Sequence, residues 1–416
     1  MFIFISFSWF LTCIILLLSV LIFSCGINCF SIINSVTFDN LFVFDSISFY
    51  LTILVIILGF YSQMLFVSIL SSWVRFYLFL SLLFTVFSFC INHSVLFWIS
   101  YELSMLPLLY LIFSESPYSE RFLAGWYFCG YLISTSLPLI LVLLYLSFLN
   151  GSFFFMDWCE FNGCPKIIYY LISFIFFTKV PLIPFHTWLP IVHAEATSIV
   201  SIFLSGYIMK LGLLGVYRCS YFIFDSEFLG YLVFCCLACI GFLVTSCTEL
   251  DGKRWLAFLS LAHIVVPFIG FYISDWNSVN YIFFYCLGHG LSAGIVFGLL
   301  WLFYDLCHTR NWILLKSSIN GVSYMLCVVI SLLSLCSFPT TIQFFSEVNL
   351  VIQSSGLVIY VLFWMLYLFL GGLVPLILCG HLLIRSEWYE SIGVGFNYLY
   401  FLVFLNFWCY FGFLLL

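Results

Sequence analysis

Apolar runs of about twenty residues, each long enough to cross a bilayer as a helix, follow one another along almost the whole chain, separated by short polar connections. Taken in order they predict thirteen spans, near 1–25, 48–71, 75–92, 94–114, 123–149, 166–188, 197–219, 228–249, 254–274, 278–305, 318–354, 357–384 and 394–415. The connections hold signals that end helices: SPYSE from Ser116, FNGCP from Phe161, SDWN from Ser274 and the Asp-Gly pair at Asp251. No small-residue cleavage site follows the first run, so Met1 to Cys25 is expected to be a span rather than a removed signal.

Composition turns this pattern into a class. Of 416 residues 65% are hydrophobic and only 7% charged, and a mean hydropathy of +1.24 leaves no soluble domain a surface to present to water. An all-α polytopic membrane protein packed as one bundle is predicted. Charge fixes an expected orientation, because basic residues gather in the connections on the side of synthesis. Arg75, Arg121, Lys253, Arg254, Arg310, Lys316 and Arg385 fall on the side of the N-terminus, and only Lys166 and Arg218 opposite.

Two of the eleven basic residues remain, Lys179 and Lys210, and both lie inside predicted spans. A charged lysine at mid-membrane costs about 3 kcal/mol on insertion scales, so such groups usually face a polar interior and mark an ion or proton path. Snorkelling to an interface is the alternative. Lys179 stands just before Pro181, which removes a backbone donor and favours a helix break where a cavity can form. Glu102 and Glu347 lie in apolar segments in the same way, near Pro107 and Pro339. The breaks around Pro181 and Pro184 and around Pro339 form a pair of the kind found at the ion sites of inverted-repeat transporters. Dimerisation kinks or plain bending would also account for these prolines.

KVPLIPFHTWLPIVHAEA from Lys179 and SGYIMKLGLLGVYR from Ser205 resemble the central signature of the subunit-4 type of antiporter-like subunit in mitochondrial NADH:ubiquinone oxidoreductase, respiratory complex I. FDSIS at Phe44, YELSMLP at Tyr101, LDGKRWLAFLSLAH at Leu250, GHGLSAG at Gly288, CHTRNW at Cys307 and SFPTTIQFFSE at Ser337 extend the resemblance along most of the chain. It implies a single transmembrane domain over 1–416, with N-terminal helices over 1–93, two inverted five-helix repeats and a C-terminal helix over 385–416. The repeats would be 94–249, broken near 179–190, and 250–384, broken near 337–347. It also implies a proton path: Glu102 and Lys179 as interacting acid and base, Lys210 as the central lysine, His289 in a buried polar axis with His263 added, and Glu347 in the second half-channel. Subunits 2 and 5 of the complex carry lysine where this chain has Glu347, and so are expected as neighbours rather than as this subunit. The expected setting is the mitochondrial inner membrane, with the N-terminus in the matrix. NADH, FMN, iron–sulfur clusters and ubiquinone would belong to other subunits, this chain binding no cofactor, metal or nucleic acid.

Bland readings stand beside these. His289 is a packing residue on one view, His263 a partner of Ser260 one turn earlier, and His186 and His193 structural. The C-x-x-C of Cys236 and Cys239 lies in an apolar span with no second pair, so neither redox nor metal chemistry is expected of it. Lys253 and Arg254 are candidates for cardiolipin head groups or simply orientation signals. The sequence departs from the family at Thr197, where proline is usual, and in having room for one helix fewer than the family's usual number before FDSIS. A subunit of a multisubunit cation/proton antiporter, sharing the lysine-and-acid constellation, is the alternative function.

Overall fold

The computed structural model describes residues 36–38, 40–64, 66, 69–158, 165–273, 279–315, 322–384 and 396–415. The first predicted span, Lys316, Arg385, most of FNGCP and all of SDWN lie outside the described residues. The described residues begin with a hairpin that the apolar pattern does not announce, β1 (Val36–Phe38) against β2 (Phe42–Phe44), Val36 paired with Phe44. Asn40 adopts φ 55° in its turn, which asparagine tolerates because its side chain can bond its own backbone.

Helices follow: α1 (Ser46–Met64), α2 (Ser72–Cys90), α3 (Ser94–Glu115), α4 (Arg121–Asn150), α5 (Lys166–Lys179), α6 (Trp188–Glu195), α7 (Ser198–Phe203), a π turn (Leu204–Ile208) and α8 (Met209–Ser220). Then come α9 (Leu229–Thr248), α10 (Gly252–His263), α11 (Val265–Ile273), α12 (Val279–Cys307), α13 (Val322–Leu335), α14 (Ile342–Ser354), α15 (Val358–Ile384) and α16 (Phe396–Leu415). Eight helical segments of the described residues are long and apolar enough to cross a membrane. Several helix starts carry side-chain caps on orphan N–H groups: Ser71 accepts from Val74, Asp251 from Lys253 and Thr341 from Phe344.

Two rods are enclosed by the rest: Ser198–Ile223, which contains α7, the π turn and α8, and Val279–Cys307, which is α12. Over the apolar stretch that would cross a membrane, each is buried on every side. α4 and α15 instead turn Leu141, Phe148, Met365 and Phe369 outward. Close packing of the inner rods depends on glycine. A Cβ on Gly212 would stand 2.5 Å from Val180, and one on Gly288 only 2.8 Å from the backbone nitrogen of Gln343. Those two glycines let α8 approach the end of α5, and α12 the start of α14.

Proline sets three interruptions. α5 stops at Lys179 and the chain resumes only at the short turn Phe185–Thr187; the second break runs between α13 and α14 past Pro339. The third, unforeseen, divides the predicted span 254–274 at Ile264. Pro267 has no N–H for the carbonyl of His263 four residues back, and the Tyr285 hydroxyl donates to that carbonyl instead, at 3.2 Å.

Candidate proton path

At the first break the freed carbonyls find new donors. The Leu182 N–H turns to Phe177 (3.1 Å), the Trp188 indole donates to Thr178 (2.9 Å) and the Tyr231 hydroxyl to Ile183 (2.6 Å). With its backbone satisfied, the break holds Lys179 inside the bundle, 3% exposed, its ammonium 5.8 Å from the Tyr101 ring centroid. Burial at this level rules out snorkelling. Neither Lys179 Nζ nor Glu102 Oε1 has a hydrogen-bond partner, and the two make no ion pair within 4.0 Å. The structure therefore places acid and base on neighbouring helices, α3 and α5, electrostatically coupled but not in contact. A small cavity lined by Thr178, Lys179, Tyr131 and Trp188 adjoins the lysine.

Lys210 is fully enclosed, and the π turn explains how its charge is met. Widening the helix to i→i+5 bonding moves carbonyls out of the regular ladder, and Lys210 Nζ donates to Ser205 O at 2.5 Å. Thr197, at the entry to this rod, has φ −60°, the value proline itself would impose; losing the family's proline leaves the turn's backbone in a proline-compatible shape.

From Lys210 the polar groups run on through α12 and α10 to α14. The rings of His263 and His289 lie 5.1 Å apart, centroid to centroid, and Lys210 acts electrostatically on both. Both His289 nitrogens lack partners. His263 does not bond Ser260, whose hydroxyl turns to Ala257; its Nδ1 lies 3.3 Å from Gln343 Nε2, which donates to Glu347 Oε1 at 2.9 Å. Tyr367 also reaches Glu347 (3.3 Å) and lies 3.2 Å from Tyr285, which holds the His263 carbonyl. Two hydroxyl hydrogens cannot fill three such contacts. A proton on Glu347 supplies the third, so all three contacts are filled only when the acid is protonated. Gln343, Tyr285 and Tyr367 were not foreseen, although Gln343 precedes Glu347 by four residues, one helical turn.

At one end of the bundle a second set of charges meets. The last carbonyls of α6 and the residue after it are capped from three other connections: Ala194 by Arg310, Glu195 by Ser116, and Ala196 by Lys253 at 2.8 Å. Arg310 also reaches Glu195 and Asp251, each at 3.5 Å, with its guanidinium 4.2 Å from the centre of the Tyr118 ring. Cations suit a helix C-terminus, where carbonyls lack intrahelical donors. Lys253 is thus 2% exposed, which corrects its reading as a lipid-facing cation; Arg254 beside it is exposed. Lys253→Met should leave the Ala196 carbonyl buried without its donor and destabilise the fold by about 1–3 kcal/mol, read as a lower thermal midpoint of the purified protein. An unchanged midpoint would mean that the clamp adds nothing to stability.

Elsewhere the charges pair simply. Arg218 bonds Asp45 (3.1 Å) and Lys166 bonds Asp225 (3.0 Å). Slight burial works to raise the Asp225 carboxyl, but hydrogen bonds from Lys166, the Phe228 N–H and Tyr170 hold it below its ordinary value. His186 and His193 stand 4.8 and 4.9 Å from the Phe242 and Phe297 rings, and among the described residues no group of three or more His, Cys, Asp or Glu could hold a metal. Cys236 and Cys239 are free thiols.

The family described as NADH:quinone oxidoreductase/Mrp antiporter, TM matches residues 92–373. NADH-ubiquinone oxidoreductase chain 4 of Rhipicephalus sanguineus is 28% identical over 323 residues, 76% of this chain and 74% of that one. Its counterpart in Artemia franciscana is 29% identical over 277 residues, 65% of this chain and 69% of that one. Among solved structures, a chain of respiratory complex I from Thermus thermophilus with bound NADH superposes with a TM-score of 0.76 at 17% identity, covering 88% of this chain and 80% of that one. A chain of the Mrp complex from Dietzia does so with 0.75 at 15% identity, covering 90% and 82%; both likenesses concern the fold. The matched region takes in Glu102, Lys179, Lys210, His263, His289 and Glu347 together, and the chain belongs to the NADH:quinone oxidoreductase/Mrp antiporter family of transmembrane subunits.

Proposed function

We propose that this chain is the chain-4 subunit of a respiratory NADH:quinone oxidoreductase and moves protons across the mitochondrial inner membrane while carrying no redox centre itself. The observation that carries the reading is the buried line of titratable side chains from Lys210 past His289 and His263 to Glu347, none of them more than 3% exposed. Such groups are expensive in a membrane and are placed where protons or ions pass. Glu102 and Lys179 would load this line from the first half-channel and Glu347 discharge it in the second. The paired breaks at 180–184 and 336–341 support two inverted repeats over 94–249 and 250–384 within thirteen spans. Lys179, close to Glu102 but unbonded, suits a base whose charge is to change with the acid's position.

Subunits 2 and 5 are the proposed neighbours in the membrane arm. Flavin, iron–sulfur clusters and quinone would be held elsewhere in the complex, reducing equivalents from NADH passing through those subunits alone. Gathering of Arg121, Lys253 and Arg310 near the α6 end supports assigning that side to the matrix. The likeness to an Mrp chain favours a second reading, a subunit of a cation/proton antiporter. Purification in mild detergent decides between them: flavin- and iron–sulfur-bearing partners with NADH oxidation are expected, and an assembly lacking both would overturn the first reading.

A further inference from the structure

Between His263 and Glu347 stands a group that cannot carry a proton. Gln343 is completely enclosed, and its backbone lies so close to Gly288 that a Cβ there would meet it at 2.8–3.0 Å. Its side chain is the part free to turn. A carboxylate only accepts hydrogen bonds, so the amide nitrogen faces Glu347 and the amide oxygen takes the Ser292 hydroxyl at 3.3 Å. The same nitrogen lies 3.3 Å from His263 Nδ1. An amide N–H donates but offers no basic lone pair, so a proton on His263 cannot step through Gln343 to the acid.

We infer that Gln343 positions the proton transfer as a two-state amide, blocking direct hand-off from His263 to Glu347 and tying the charge on one to the charge on the other by turning over. The inference rests on the proton path proposed above. Neutral His263 presents a lone pair at Nδ1 and accepts the amide N–H. When His263 binds a second proton, Nδ1–H confronts that N–H, donor against donor, and the pair repels. The terminal torsion of glutamine is soft and two-fold. Turned over, the amide gives its oxygen to Nδ1–H and its nitrogen to Ser292, whose hydroxyl accepts as readily as it donates. Glu347 then faces an oxygen, which only the protonated acid can satisfy.

The other groups facing His263 differ in which state they favour, a charged Lys210 opposing a second proton on the ring. His289 and Tyr285 come from α12, Tyr367 from α15, and Lys210 from α8. Of these the tyrosines can donate or accept, and Lys210 keeps its own carbonyl partner in Ser205.

The test uses the purified complex in sealed vesicles, measuring protons moved per NADH oxidised and, without NADH, the decay of an imposed pH gradient. Gln343→Leu keeps the side chain's bulk but neither donates nor accepts, and should lower the proton ratio as far as Glu347→Gln does while the passive leak stays at the wild-type value. Gln343→Glu puts a carboxyl that can hold a proton between histidine and acid, and should raise the passive leak about tenfold, as expected of a newly connected acid–base relay. A wild-type ratio in Gln343→Leu beside a lowered ratio in Glu347→Gln would overturn the amide switch and leave the path standing. An assembled Gln343→Glu complex with no added leak would overturn the blocking role. Full pumping by Glu347→Gln would instead remove the path itself.

Discussion

Replacing Lys179 with methionine should give a subunit that assembles and does not pump. Methionine keeps the length of the lysine stem, fits the wall formed by Thr178, Trp188 and Tyr131, and removes the insertion cost of a charge, about 3 kcal/mol. What it cannot do is bind a proton. Proton uptake by vesicles should fall about a hundredfold or more in the share this subunit carries, the scale at which a positioned acid or base contributes, and NADH oxidation should slow as far as the two are coupled. Glu102→Gln should act in the same direction more mildly, because the lysine remains while the carboxylate that favours its charged form is gone. With Glu102 and Lys179 proposed to act on one step, the double variant should fall short of the sum of the single effects. Measuring all three beside wild type decides the matter, and normal pumping by Lys179→Met would reduce the lysine to a support for the break at Pro181.

Glu347→Gln is the second large effect expected. The amide oxygen still accepts from Gln343 Nε2 and from Tyr367, the two donors now on Oε1, so the surrounding packing persists and assembly should match wild type. The added NH₂ group is a permanent donor that never leaves, and the ring of contacts with Tyr285 and Tyr367 loses its exchangeable proton. Protons moved per NADH should drop by this subunit's whole share while the complex remains intact in detergent. Undiminished pumping with intact assembly would take Glu347 out of the path.

The residues whose chemistry was legible in the sequence are those whose cost is local. Lys179, Lys210, Glu102 and Glu347 are charges within apolar runs, and no fold is needed to see that the membrane penalises them. The breaks at Pro181 and Pro339 were legible for the same reason, since a proline's missing N–H is a property of the chain, whereas Pro267 was passed over inside an unbroken apolar run. Gln343, Tyr285 and Tyr367 were not, because neutral polar and aromatic residues fit any span, and only packing brings 263, 285, 343 and 367 together. Lys253 was misread because its burial comes from partners far along the chain, Tyr118 and the carbonyl of Ala196. Its neighbour Arg254, with the same charge and one residue away, is exposed. The hairpin before α1 fell into a stretch whose polar residues read only as a connection.

The short helix α6 is fastened at both ends: behind it by the Trp188 indole to the Thr178 carbonyl, ahead of it by Arg310, Ser116 and Lys253 to the carbonyls of residues 194–196. In mechanical language it is a strut about 12 Å long, with Lys179 just before one bearing and the rod of Lys210 rising from the other. A strut held so does not stretch; it tilts. Displacement at the Lys179 bearing becomes torque on the root of the Lys210 rod, and both lysines change surroundings in a single stroke unless one bearing gives way. On the proposed path, the stiffness of these eight residues would set how far apart in time the two proton events could fall.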